Sequence, residues 1–100
     1  MTGRKHISTQ QTVPIDSTGE VFETNLEQSK LLSINIVGES SATYALDVSP
    51  DGDTYFESEE TYTGTDIRDV FELTDRYIRV RVTSTGNTND TADITIQGLQ

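Results

Sequence analysis

The chain has 100 residues, enough for one domain with one modest core. It carries 17 acidic residues against seven lysines and arginines, a net charge of −10, with no cysteine and no tryptophan. Disulfides, Cys-ligated zinc and thiol catalysis are thereby excluded, and nucleic acid is disfavoured as a partner because phosphate binding needs clustered cations.

Residues 1–12, "MTGRKHISTQQT", are polar and read as an extended arm or a first edge strand. No apolar run follows their basic residues, so they do not read as a secretory signal. From there the dominant period is two. "EVFETNL" (20–26) presents Val21 on one face and Phe22 on the other. "LLSINIV" (31–37) aligns Leu32, Ile34 and Ile36, and "TYALDVS" (43–49) aligns Tyr44, Leu46 and Val48. Residues 66–75, "DIRDVFELTD", space Ile67, Val70 and Phe71 as a helix would, but the segment is short and β-branched and reads as a strand or one loose turn. "YIRVRVTS" (77–84) alternates most cleanly, with Ile78, Val80 and Val82 inward and Arg79, Arg81 and Thr83 outward. "ADITIQG" (92–98) closes the chain with Ile94 and Ile96. Such alternation marks strands buried on one face. No stretch approaches the roughly 18 consecutive apolar residues of a membrane span, and no membrane partner is expected.

Turn signals separate these runs: "STG" at 17–19, "GESS" at 38–41, "SPDG" at 49–52 and "STGNTND" at 84–90. The spacing predicts an all-β domain over 13–100, an antiparallel β-sandwich of seven to eight short strands with Greek-key or jelly-roll connections. Its core is expected from Leu32, Ile34, Ile36, Leu46, Val48, Phe71, Ile78, Val80, Val82, Ile94 and Ile96. A core this thin would gain from oligomerisation.

The stretch "DVSPDGDTYFESEE" (47–60) raises the question of a metal site. Asp47, Asp51 and Asp53 are not spaced like a calcium loop, which needs acidic ligands at alternate positions and a Glu at the twelfth. They remain a weak candidate cation site. Pro50, Asp51 and Gly52 instead have the residue types of a hairpin corner, with Gly52 in the left-handed conformation. No cofactor is expected.

Arg79 and Arg81 share one strand face, and Arg76 precedes it. Two readings stand: pairing within the chain, with neighbours such as Asp47 or Asp93, or a cationic stripe that docks on an acidic copy of the same protein. Arg4 and Lys5 in the N-terminal arm join the candidate assembly contacts. Catalysis has little to rest on, since the single histidine, His6, lies in that arm. The chain is read as no enzyme. Tyr55, Phe56 and Tyr62 surround the Asp-rich hairpin and could serve as a sugar-binding platform, although strand alternation places one of Tyr55 and Phe56 inside. Asn89-Asp90-Thr91 is a formal glycosylation sequon.

The order "YALDVSPDGDTYFE … TGTDIRDVFELTDRYIRVRVTSTG … TADITIQG", over about residues 31–98, resembles small β-sandwich structural domains of tailed-virus virions, found in capsid-decorating, turret and tail proteins. Related hairpin signatures occur in discoidin-like and carbohydrate-binding sandwiches. The acidic composition suits high salt, where carboxylates hold water and their repulsion is screened, and so points toward tailed viruses of halophilic archaea. The resemblance implies a non-enzymatic virion protein acting as repeated copies in a symmetric assembly. Its partners would be copies of itself and other virion proteins such as a major capsid protein. The alternative is a carbohydrate-binding or host-adhesion module that recognises host surface glycans.

Overall fold

The computed structural model describes residues 6–99. Six strands follow in chain order: β1 (His6–Pro14), β2 (Gly19–Asn25), β3 (Leu31–Ser49), β4 (Phe56–Glu72), β5 (Tyr77–Ser84) and β6 (Thr91–Leu99). They form one antiparallel sheet in the order β1-β6-β3-β5-β2, with β4 paired to β3 off that path. The sheet curls until its two ends approach, where the Thr9 and Thr24 hydroxyls lie 3.5 Å apart. The result is an all-β antiparallel sheet that is nearly a barrel, and the expectation of seven to eight strands is corrected to six among the described residues.

Two strands are far longer than the alternation predicts. β3 spans 19 residues because "GESS" does not reverse the chain. Its pairing with β4 slips between Val37 and Ala42, so residues 38–41 bulge and bend the strand while it continues. The polar side chains of this bulge are taken up by the loop before β6. Ser40 Oγ accepts the Asn87 N–H at 2.8 Å, and Glu39 Oε1 accepts the Thr91 N–H at 2.8 Å.

The first half of β3 pairs with β6 (Leu32↔Gly98, Ile34↔Ile96) and the second half with β5 (Leu46↔Val80, Val48↔Ile78). β4 runs along the opposite edge of β3 from Leu31↔Glu72 to Val48↔Phe56. Where β3 bulges, β4 turns a corner at Gly64, whose φ of +140° favours glycine. Across that corner the Tyr62 hydroxyl donates to Asp69 Oδ2 at 2.9 Å. Burial and that carboxylate both push the Tyr62 pKa up.

The core lies inside the curl. Leu32, Ile34, Ile36, Tyr44, Leu46, Ile78, Ile94 and Ile96 are fully buried, Val80 and Val82 nearly so, and Val48 is buried. The predicted core residues are thus inside, except that Phe71 is only half-buried and packs against the rim. Val13, Ile15, Phe22 and Leu26 join them from the first two strands and their flanks. Residues 6–12 belong to the sheet as most of β1, pairing with β6 from His6↔Leu99 to Pro14↔Thr91. Residues 1–5 of that N-terminal segment lie outside the described residues.

Candidate functional site

The most organised polar cluster centres on Asp47. The core side chains of β3 alternate as Tyr44, Leu46 and Val48, so Asp47 points to the outer face, yet its side chain is fully buried. β5 lies beside it in register, with Asp47↔Arg79 and Ala45↔Arg81. Both arginines reach its carboxylate. Arg79 Nε donates to Oδ2 at 2.8 Å, Arg81 Nε to the same oxygen at 2.6 Å, and Arg81 Nη2 to Oδ1 at 3.1 Å.

The fourth donor comes from the backbone. β4 slips register against β3 between Leu46 and Val48, and Ser58 takes φ +59° in this bulge. That aims the Ser58 N–H at Asp47 Oδ1, 2.9 Å away. Four donors fill the lone-pair positions of one carboxylate. Burial pushes the Asp47 pKa up, but the hydrogen bonds from Arg81, Ser58 and Arg79 outweigh it and hold the carboxyl below its ordinary value. Saturated and ionised, Asp47 is an anchor and is unsuited to act as a general base.

The arginines are matched on their other sides as well. Glu20 lies opposite Arg81 and Glu23 opposite Arg79 on β2, and Glu57 Oε2 meets Arg79 Nη2 at 3.4 Å. Tyr55 stacks on Arg79, with the guanidinium carbon 4.2 Å from the ring centroid. Arg79 and Arg81 thus pair within the chain, with Asp47 as the shared partner. Arg76 is exposed, stacks loosely on Tyr77 at 5.8 Å, and lines a polar cleft of about 330 Å³ with Glu27 and Asp75. Arg4 and Lys5 lie outside the described residues.

The three aspartates of the candidate cation site do not converge. Asp47 is occupied by the arginines. Asp51 Oδ1 accepts the Ser49 hydroxyl at 3.0 Å and the N–H groups of Asp53 at 2.8 Å and Thr54 at 3.0 Å, which closes the hairpin. Those bonds, the Thr54 and Asp53 amides foremost, lower the Asp51 pKa. Asp53 is exposed. Among the described residues, no group of three or more His, Asp or Glu is arranged to hold a metal ion.

Gly52 sits at the hairpin corner with φ +84°, as its place in the sequence predicts. A Cβ there would lie 3.2 Å from the Tyr77 ring. Gly52→Ala is therefore expected to cost about 1–2 kcal/mol, through the left-handed backbone and the crowded ring together. A urea midpoint unchanged from wild type would contradict this.

The aromatics do not form one platform. Phe56 is 59% exposed, but Tyr55 is covered by Arg79 and its hydroxyl is buried. Tyr62 packs against the core rim with its hydroxyl held by Asp69. The expectation that one of Tyr55 and Phe56 enters the core is replaced by packing of Tyr55 on the outer-face arginine.

The sequence reading did not find the Ser58 amide or the Tyr55 stack, because a bulge donor and a stacked ring leave no periodic trace. It also did not find the length of β4. Apart from Phe56 and Tyr62, residues 56–65 are polar or glycine and give no alternation, and pairing with β3 makes them a strand.

No family model matches the chain, and no curated protein matches it. Among solved structures, the fold is similar to that of the SPBc2 prophage-derived protein YomS, with a TM-score of 0.68 and 15% identity. The match covers 100% of this chain and 97% of that one. A structure described as Bacillus endospore appendages, a family of disulfide-linked pili, gives a TM-score of 0.49 and 11% identity over 97% of this chain and 87% of that one. The likeness to the prophage-derived protein is one of fold, and it extends over nearly the whole of both chains.

Proposed function

We propose that the chain is a non-enzymatic structural subunit of a phage-type particle, working as repeated copies that decorate a capsid or build part of a tail or turret. The observation that carries this reading is the correspondence with the prophage-derived protein, which extends over 100% of this chain and 97% of that one. The polar cluster around Asp47 fits a structural role, because its charges hold β3 and β5 together. The net charge of −10 extends the proposal to a virus whose host lives in high salt. Other virion proteins, a major capsid protein among them, are the expected partners, with exposed Arg76 a candidate contact.

Particle composition tests this. Peptides of this chain are expected in purified particles at a fixed ratio to the main shell or tube protein, with antibody labelling at repeated positions. In molar salt the isolated chain is expected to self-associate. A strict monomer that is absent from particles would overturn the reading.

A further inference from the structure

The outer edge of β4 carries no neighbouring strand among the described residues, where β4 pairs with β3 alone. Of its 17 residues only Ile67 is buried. A strand this long with a free edge is a template for another strand. Its side chains are mostly polar, with one aliphatic among them left open: Val70 is 61% exposed. The Val70 N–H is held by its own neighbour, Asp69 Oδ1, at 2.9 Å.

The opposite edge of the same half of the sheet is β1, and the register rows run straight across. Ser8 faces Gln97, Gln97 faces Ser33, and Ser33 faces Val70. Since every pairing is antiparallel, β1 runs with β3 and against β4. A second copy displaced along these rows brings its β1 antiparallel to β4, with its Ser8 beside Val70.

Charge selects between the two edges. β4 carries Glu57, Glu59, Glu60, Asp66, Asp69 and Glu72 against the single Arg68. Two β4 edges therefore repel each other. β1 has no acidic residue, and Arg4 and Lys5 precede it in the sequence.

We propose that β4 of one copy accepts β1 of the next, joining copies head to tail into a continuous antiparallel sheet. This rests on the reading of the chain as a repeated subunit and names its contact. Such a heterologous contact repeats without using itself up, and closes into a ring or continues as a filament.

The absence of native cysteine makes cross-linking a clean test. The full chain carrying Ser8→Cys and Val70→Cys is expected to oxidise into a ladder of multimers on a non-reducing gel, while each single variant stays uncoupled. A dimer from Val70→Cys alone would show β4 meeting β4 and overturn the proposal. Val70→Pro removes the N–H that Asp69 Oδ1 holds in the single chain and that an incoming β1 would take over, at an edge position where proline is tolerated. It is expected to abolish association while circular dichroism and melting stay those of the wild type. Wild-type association without a ladder, or association undiminished by Val70→Pro, overturns the edge pairing and leaves the subunit reading standing. A wild-type chain that is monomeric at every concentration overturns both.

Discussion

Asp47→Ala is expected to destabilise the domain by about 2–4 kcal/mol, lowering the melting temperature by roughly 10–20 °C. The substitution leaves Arg79 and Arg81 side by side with no anion between them, and strands the Ser58 N–H of the bulge. Removing one partner of a buried ion cluster costs more than the cluster itself contributes, because the remaining charge is uncompensated. The arginine side chains keep 19% and 22% exposure, so water recovers part of the loss, and the figure falls below that of a fully buried pair. Asp47→Asn keeps one acceptor and should cost less.

Acidity carries the same signature. The folded state holds the Asp47 carboxyl below its unfolded value, so its stabilisation is fully present above about pH 4 and is lost as pH falls through the folded value. Urea midpoints of wild type and Asp47→Asn should therefore differ most at neutral pH and converge in acid. A constant gap down to the lowest pH at which both fold would contradict this account.

Ile34→Ala and Leu46→Ala are each expected to cost about 2–5 kcal/mol, both residues being fully buried on β3. They lie on opposite sides of the β3 bulge, Ile34 beside Ile96 and Leu46 beside Val80. If the curled sheet encloses one core, either substitution lowers a single melting transition of the whole domain. Two transitions, with each variant shifting only its own, would mean that the halves fold separately. Against the 5–15 kcal/mol typical of a domain, either loss is severe.

Strands with one wet face and one dry face were legible in the sequence. β5 and β6 follow the alternation of "YIRVRVTS" and "ADITIQG" within a residue at each end, and β2 nearly matches "EVFETNL". "GESS" misled because its residues belong to turns by type, whereas here Glu39 and Ser40 bond the loop across from them and the strand only bends. β4 was half legible: 66–72 shows several apolar residues, whereas in 56–65 only Tyr62 packs against the core. Strand count and sheet closure followed from those two errors. Of the site, Asp47 and the arginine stripe were visible as charges at strand spacing, and their pairing was one of two open readings. The register that decides between the readings depends on bulges, which no local pattern records.

The pairing of His6 with Leu99 has a consequence for how the domain comes into being. Strands β1 and β6, nine residues each, are adjacent although nearly all the other described residues lie between them in sequence, so the earlier strand waits for the later one. Until β6 leaves the ribosome, β1 has no partner and the first half of β3 lacks its neighbour on one side. Contacts of such long sequence separation make folding slow and leave strand edges open meanwhile. The acidic charge that repels one β4 from another then protects the unfinished chain, keeping nascent copies apart until each has closed its own sheet.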